Sequence, residues 1–150
     1  MNRTLRLILF LVLVVGGGLV IGFLTMPGAW YAGLAKPSFN PPNWLFAPVW
    51  TVLYILIAIT GWRVWHADAC GWPMRLWWGQ LALNFIWSPV FFAAHQIGIA
   101  LVIILLLLAA IFAFIATAWR LYRVAAWLFV PYAAWVAFAS LLNASLFALN

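Results

Sequence analysis

The sequence predicts an all-α integral membrane protein, a five-transmembrane-helix bundle with a long ordered outer loop between helices 1 and 2. Three observations lead to this fold class. Only 5% of the 150 residues are charged, against about 25% in soluble domains, and the mean hydropathy is +1.17. Apolar runs of about 20 residues, the length that a bilayer core requires, fill most of the chain. Basic residues are concentrated in alternate connections between these runs.

The apolar runs define the helices of a single membrane domain over residues 1–150. The predicted helices 1 to 5 cover residues 5–26, 43–65, 73–94, 97–119 and 122–148. A cleaved signal peptide is the alternative for the first run, because Arg3 and Arg6 precede it. The run is long for a signal core, and the stretch after it is a poor cleavage site, so we interpret it as a permanent helix.

The net charge of +6 indicates membrane topology rather than nucleic-acid binding. With five spans, Lys36 lies alone on one side, and the positive-inside rule predicts a cytoplasmic N-terminus and an external C-terminus. This bias favours a multi-pass protein of a bacterial inner membrane, with the lipid bilayer as its surroundings. The basic residues on the cytoplasmic side are Arg3, Arg6, Arg63, Arg75, Arg120 and Arg123.

The outer loop, residues 27–43, is far longer than the other connections and runs into the proline-rich stretch "KPSFNPPNWLFAPVW". Its aromatic residues have apolar surface to bury, so we expect it to be ordered. Asn40 is expected to cap helix 2, with Pro41 and Pro42 in the first helical turn. Pro48, one turn further on, is expected to bend the top of the helix.

The twelve tryptophans divide into three groups. Trp50, Trp87 and Trp135 lie inside the predicted spans, and the first two are about 10 Å below the outer helix ends at 1.5 Å per residue. Trp30 and Trp44 mark the outer boundary. The others are expected to form an interfacial belt at the cytoplasmic ends. They are Trp62, Trp65, Trp72, Trp77, Trp78, Trp119 and Trp127.

The three internal tryptophans and a polar face of helix 3 predict a ligand pocket. Gln80, Asn84 and Ser88 are spaced by four residues and therefore lie on one face. Aromatic walls with a few polar groups suit a flat, mostly apolar ligand. The alternative is that the polar residues bond neighbouring helices and that the tryptophans fill space.

Several kinds of chemistry are disfavoured by the residue inventory. The only acidic residue, Asp68, is in a loop, which argues against a proton-coupled antiporter with a membrane-embedded acid. His66 and His95 lie on opposite sides of the membrane and cannot share a metal. The single cysteine, Cys70, predicts no disulfide. We therefore expect no metal site, no catalytic set for hydrolysis or phosphoryl transfer, and no required cofactor.

Two features bear on contacts between helices or between copies of the chain. Gly18 and Gly22 of helix 1 are spaced by four, a pattern that lets another helix approach closely. We favour packing within the chain, with a dimer contact as the alternative. Helix 4 carries almost no polar residue and is expected to face lipid or a partner subunit.

Three segments resemble the signatures of the translocator protein family, which includes the bacterial tryptophan-rich sensory proteins (TspO) and the mitochondrial peripheral benzodiazepine receptor. The resemblance extends over essentially the full chain. It implies a five-helix bundle, often a homodimer, with a ligand cavity that opens toward the helix 1–2 loop. Porphyrins, haem, cholesterol and synthetic benzodiazepine-site compounds are the ligands of the family. The segments are "WYAGLAKPSFNPPNWLFAPVWTVLY", "GQLALNFIWSPVFF" and "PYAAWVAFASLLN".

The resemblance implies a ligand-binding role for a set of positions in this sequence. It also implies that the outer loop is the lid of the cavity. The implied function is tetrapyrrole binding, as a transporter or a sensor, and Lys36 could meet a propionate at the mouth of the cavity. Light- or oxygen-dependent porphyrin breakdown and a ligand-independent regulatory role are the alternatives. The implied site residues are Tyr31, Phe46, Ala47, Val49, Trp50, Tyr54, Asn84, Trp87, Trp135, Ala139 and Asn143.

The sequence departs from the family pattern at four places. Phe39 replaces a tryptophan but keeps an aromatic ring, so little change is expected. The end of helix 5, "LLNASLFALN", lacks the tyrosine and basic residue of the family's cholesterol motif, which argues against sterol binding there. Arg75, four residues before Gly79, disfavours a small-residue dimer contact on helix 3. Ile99 stands where animal relatives have tryptophan, which predicts weaker binding of synthetic drugs.

Overall fold

The computed structural model of the protein describes residues 2–150, and every regular element in that range is a helix. A π-helical turn, Val12–Gly16, interrupts α1, and a second, Pro89–Ala93, extends α4 beyond Ser88. Predicted helices 1 to 5 correspond to α1, α3, α4, α5 and α6. The helices are α1 (Arg3–Leu24), α2 (Ala29–Ala32), α3 (Asn43–Ala67), α4 (Trp72–Ser88), α5 (Ile97–Leu121) and α6 (Arg123–Leu149).

Four of these helices, α1, α3, α5 and α6, are long and apolar enough to cross a membrane. The remaining long helix, α4, is shorter, with 17 residues, and it carries Gln80, Asn84 and Arg75. It packs along α5 and belongs to the same bundle. The predicted count of five spans therefore stays a prediction.

The five long helices form a closed ring. The first half of α1 packs against α3, and its second half, Gly17–Leu24, packs against α4. Helix α6 packs against both α3 and α5, and α5 packs against α4. At one end of the ring, which we call the arginine end, lie the start of α1, the end of α3 and the α5–α6 connection. At the other end the outer loop covers the bundle.

The half of the bundle near the arginine end is filled with side chains. Trp77 is fully buried there, and its indole Nε1 donates a hydrogen bond to the Ile57 carbonyl oxygen at 2.9 Å. Gly61 leaves the space for this ring, because a Cβ at position 61 would collide with it. The expectation that Trp77 belongs to an interfacial belt is therefore wrong.

Helix α3 begins at Asn43, the first residue of the predicted helix 2, and Asn40 is not its cap. Its first turn is the 3₁₀ turn Asn43–Leu45, preceded by Pro42 in an extended conformation (φ −63°, ψ 144°). The residue before a proline is driven out of the helical region, so two successive prolines keep residues 40 and 41 from starting a helix. The Asn40 side chain instead donates to the Pro41 carbonyl oxygen at 3.2 Å.

Two further expectations concern packing, one at the glycines of α1 and one at the apolar surface of α5. Gly18 contacts the Tyr54 ring so closely that a Cβ would collide with it, whereas Gly22 has open space beside it. The packing within the chain that we favoured is thus found at Gly18 alone. Helix α5 buries one face, including Ile111 and Phe114, and exposes the other. The expectation that it faces lipid or a partner can therefore apply only to that exposed face, and there it stays a prediction.

Candidate ligand-binding site

A cavity of about 570 Å³ occupies the half of the bundle beneath the outer loop. All five long helices contribute to its walls, and the outer loop closes it from above. Val49 is not part of the lining and packs against the filled core instead. The other predicted site residues all line the cavity, namely Tyr31, Phe46, Ala47, Trp50, Tyr54, Asn84, Trp87, Trp135, Ala139 and Asn143.

The three internal tryptophans form walls of the cavity, each supported by a second ring. Trp50 lies 5.4 Å from Tyr54 between ring centroids, and Trp87 stacks on Phe91 at 5.2 Å. Trp135 meets Phe46 edge to face at 5.9 Å. Because each ring is braced by a neighbour, the walls are preformed flat surfaces.

A chain of hydrogen bonds leads from the cavity into the core. The Tyr54 hydroxyl donates to Asn84 Oδ1 at 3.2 Å, and Asn84 Nδ2 donates to the Tyr132 hydroxyl at 2.7 Å. Tyr132 in turn donates to Gln80 Oε1 at 2.8 Å. This chain fixes the orientation of the Asn84 amide, so that one N–H of its Nδ2 remains for a ligand. Sequence reasoning missed Tyr132, since nothing in the pattern of helix 5 separates it from a lipid-facing tyrosine.

Asn143 is tied to the protein rather than free for a ligand. Its Oδ1 accepts from the Trp87 indole Nε1 at 3.1 Å, and its Nδ2 donates to the Ile97 carbonyl oxygen at 3.1 Å. The residue therefore holds the Trp87 ring in place and joins α6 to the start of α5. Its contribution to the cavity is to fix a wall.

The indole N–H of Trp135 is unpaired. That nitrogen is buried and has no hydrogen-bond partner among residues 2–150. The N–H groups of Trp77 and Trp87, by contrast, both have acceptors. An unpaired buried donor costs about 1–3 kcal/mol, so the position of the Trp135 ring is maintained by its packing rather than by a hydrogen bond.

The outer loop is ordered by local contacts above the cavity. Tyr31 is buried, and its hydroxyl lies 3.4 Å from Asn40 Oδ1. Burial raises the pKa of Tyr31 by more than the hydrogen bond to Asn40 lowers it, so the phenol stays protonated at neutral pH.

Lys36 Nζ donates to the carbonyl oxygens of Tyr31, Ala32 and Leu34 at 2.7, 3.2 and 3.2 Å. It does not line the cavity, and its ammonium group is already engaged, so the expected contact with a propionate has no support here.

The last residue of the chain ties α6 to the outer loop. Asn150 Nδ2 donates to the Ala35 carbonyl oxygen, and the Ala35 amide donates to Asn150 Oδ1, both at 2.9 Å. This pair of bonds, which we call the Asn150 clasp, joins two segments 115 residues apart. It holds the loop over the cavity from the side of α6.

The cavity also reaches the surface of the bundle between α1 and α3. Leu19 and Phe23 of α1 line it, yet they are 56% and 72% exposed. Gly22 and Ala47 extend the same opening. Sequence reasoning missed this wall, because its apolar residues are those of any membrane-spanning helix.

Comparisons with known proteins identify the family. The sequence profile of the TspO/MBR family matches residues 9–149. The chain is 36% identical to protein CrtK of Rhodobacter capsulatus, in an alignment that covers 100% of this chain and 95% of that protein. It is 43% identical to the human translocator protein, with 76% of this chain and 70% of that protein covered. It is 34% identical to the tryptophan-rich sensory protein of Cereibacter sphaeroides, with 100% of this chain and 95% of that protein covered. The chain is therefore a multi-pass membrane protein that belongs to the TspO/MBR family.

Proposed function

We propose that this protein binds a porphyrin- or haem-type tetrapyrrole, or a planar hydrophobic molecule of similar size, in the aromatic cavity, as a transporter or a sensor. The observation that carries the proposal is the cavity itself, about 570 Å³ in volume and walled by Trp50, Trp87 and Trp135. Ligand sites typically measure about 300–1,000 Å³ and are mostly apolar with a few placed polar groups. The relatives named as a translocator protein and a tryptophan-rich sensory protein agree with this role.

The chemistry of the walls favours a flat aromatic ligand. Offset and edge-to-face contacts with indole rings contribute about 0.5–1.5 kcal/mol each beyond the area they bury. The remaining N–H of the Asn84 amide supplies a donor at the mostly apolar walls. A tetrapyrrole offers a planar ring for the walls and carboxylate oxygens as acceptors for such a donor.

Binding can be tested with the purified full chain in detergent. Protoporphyrin is titrated into the protein, and its visible absorption band and the tryptophan fluorescence are followed. We expect saturable binding that Trp50→Ala and Trp135→Ala each weaken at least tenfold, since each removes one wall. Trp72→Ala is the matched control, because Trp72 is 68% exposed and lies outside the cavity. Equal affinities in all four proteins would contradict the proposal.

Light-dependent porphyrin breakdown, with molecular oxygen as the oxidant, is a second candidate. The observation that favours it is a group of oxidisable rings, since the cavity wall Trp50 lies 5.4 Å from Tyr54 and 6.4 Å from Tyr132 in the core behind it. Illumination of the complex should bleach protoporphyrin faster than in detergent alone, and Trp50→Phe should slow the bleaching. Bleaching at the rate of free porphyrin would remove this candidate.

The placement in the membrane completes the proposal. We infer that α4, extended by its π-helical turn, is a fifth span and that the arginine end is cytoplasmic, in a bacterial inner membrane. Cys70, the only cysteine, is exposed in the α3–α4 connection at this end. In spheroplasts a membrane-impermeant maleimide should label Cys70 only after permeabilisation. The variant Cys70→Ser with Ser38→Cys should be labelled without permeabilisation, and the reverse pattern would contradict this orientation.

A further inference from the structure

A second cavity, of about 370 Å³, lies at the arginine end of the bundle. It is bounded by the start of α1, the end of α3 and the α5–α6 connection. It shares no lining residue with the aromatic cavity in the described part of the chain, and the filled half of the bundle separates the two. Neither the resemblance nor the proposed function assigns it a role.

The walls of this second cavity are basic. Arg3, Arg63, Arg123 and His66 line it, and no acidic side chain does so within residues 2–150. Asp68 is the only acidic residue of the chain, and its Oδ1 accepts hydrogen bonds from two backbone amides of the α3–α4 connection, at 3.1 and 2.9 Å. Three arginines therefore line one cavity, without a carboxylate in its lining to neutralise them.

The N-terminus of α6 adds unpaired backbone donors to the same cavity. Arg123, Val124 and Ala125 line it, and their backbone amides have no acceptor among residues 2–150. Tyr122, the residue before the helix, provides no side-chain cap. The first amides of a helix and its dipole together form an anion-binding site, and α6 is 27 residues long.

Contacts around the cavity hold its donors in place. The Trp62 indole Nε1 donates to the Arg3 carbonyl oxygen at 3.1 Å, which fixes the start of α1 against α3. His66 Nδ1 lies 2.9 Å from the Trp62 carbonyl oxygen and donates to it, which fixes the orientation of this ring beside the cavity. The Arg123 guanidinium lies 5.9 Å from the centre of the Trp119 ring, a cation–π contact that orients it.

We propose that this second cavity binds a phosphate-bearing anion, a phosphate monoester or diester with an attached group. Guanidinium groups bind phosphate oxygens through paired N–H donors, and the α6 amides provide further donors. A volume of about 370 Å³ leaves room for more than the phosphate itself. Two sources share this chemistry, the headgroup of an anionic phospholipid and a soluble phosphorylated molecule.

The lipid source is tested by native mass spectrometry of the full chain in a neutral detergent with added phosphatidylglycerol. We expect the variant Arg63→Gln with Arg123→Gln to lose at least tenfold in bound phosphatidylglycerol. The matched control is Arg75→Gln with Arg120→Gln, which removes the same charge at the same end but outside the cavity. The control should bind as the unmodified protein does, and both variants should still bind protoporphyrin.

A second variant tests the cavity without changing any charge. Ala67→Phe places a ring in the lining at an exposed helix end, so it should reduce phosphatidylglycerol binding while leaving all basic residues in place. Glycerol 3-phosphate, titrated calorimetrically into the same protein, tests the soluble source. If it binds and competes with the lipid, the site takes soluble phosphates as well; if only the lipid binds, the headgroup is the ligand. Equal losses in the cavity and control variants, or no binding of either probe, would overturn the proposal.

Discussion

The two halves of the bundle are built from the same residue types, yet one is filled and the other is hollow. In the filled half, the Trp77 ring occupies the space beside Gly61, and its N–H reaches the Ile57 carbonyl oxygen. In the hollow half, Trp50 and Trp135 line a cavity, and the Trp135 N–H has no partner among residues 2–150. An indole ring fills the interior where the facing helix provides a gap for the ring and an acceptor for its N–H. Where the facing helix provides neither, the ring lines a cavity.

Glycines on the facing helices explain much of this difference. Gly61 lets a tryptophan ring enter between α3 and α4, whereas Gly18 lets the Tyr54 ring lie against α1 and away from the centre of the bundle. In the first case a large ring fills the interior. In the second, a ring is held back at the wall, and the interior stays open for a ligand.

The largest expected effect is on the filled half. Trp77→Ala should lower the free energy of unfolding by about 3–5 kcal/mol, because it leaves a ring-sized void and removes a buried hydrogen bond. Trp50→Ala should cost much less stability, since its ring already borders a cavity. Unfolding in mixed detergent micelles with increasing sodium dodecyl sulfate measures both. Similar losses in the two variants would mean that the hollow half is also packed in the free protein.

The second effect concerns Gly18 of α1. Gly18→Val should push the Tyr54 ring into the cavity, with an overpacking cost of about 1–3 kcal/mol, and should weaken protoporphyrin binding. Gly16→Val on the same helix is the matched control, because the space beside Gly16 is open and Gly16 does not line the cavity. Titration of both variants with protoporphyrin measures the difference. A loss of affinity in Gly16→Val as large as that in Gly18→Val would contradict the role given to Gly18.

The third effect concerns the chain of hydrogen bonds that joins the two halves. Tyr132→Phe keeps the ring but leaves the Asn84 amide and Gln80 Oε1 without this hydroxyl, at a cost of about 1 kcal/mol per interhelical bond. Because Asn84 is then free to rotate, protoporphyrin affinity should fall as well. Phe129→Leu, a core change without a hydroxyl, serves as the comparison. Unchanged affinity in Tyr132→Phe would show that the amide orientation is fixed by other contacts.

The smallest expected effect is at the Asn150 clasp. Asn150→Ala removes both hydrogen bonds to Ala35, at an exposed position where each contributes about 0.5–1.5 kcal/mol at most. The thermal stability of the bundle should hardly change, but protoporphyrin should dissociate faster because the loop opens more often. Ser145→Ala, a change on the same helix that leaves the clasp intact, is the control. Equal dissociation rates in the two variants would mean that the clasp does not restrain the loop.

Local sequence patterns predicted some features of the cavity and could not predict others. Trp50, Trp87 and Asn84 were placed near the cavity because helical spacing and depth in the membrane can be read along one helix. Tyr132 and the α1 wall at Leu19 were missed, since their role depends on which helix lies opposite. Asn40 was assigned to a helix cap, but the two prolines after it delay the start of α3 to Asn43.

The sequence by itself determined that the chain is a helical membrane protein, that its basic residues gather at one end, and which motifs place it in its family. These properties follow from local length, hydropathy and charge, and they need no knowledge of how helices meet. Only the tertiary structure decided that Trp77 fills the opposite half of the bundle, that Tyr132 orients Asn84, and that the α1 wall at Leu19 lines the cavity. It also brought Arg3, Arg63 and Arg123 to a single cavity. These outcomes depend on the fit between side chains and glycines on different helices, which lie far apart in the chain.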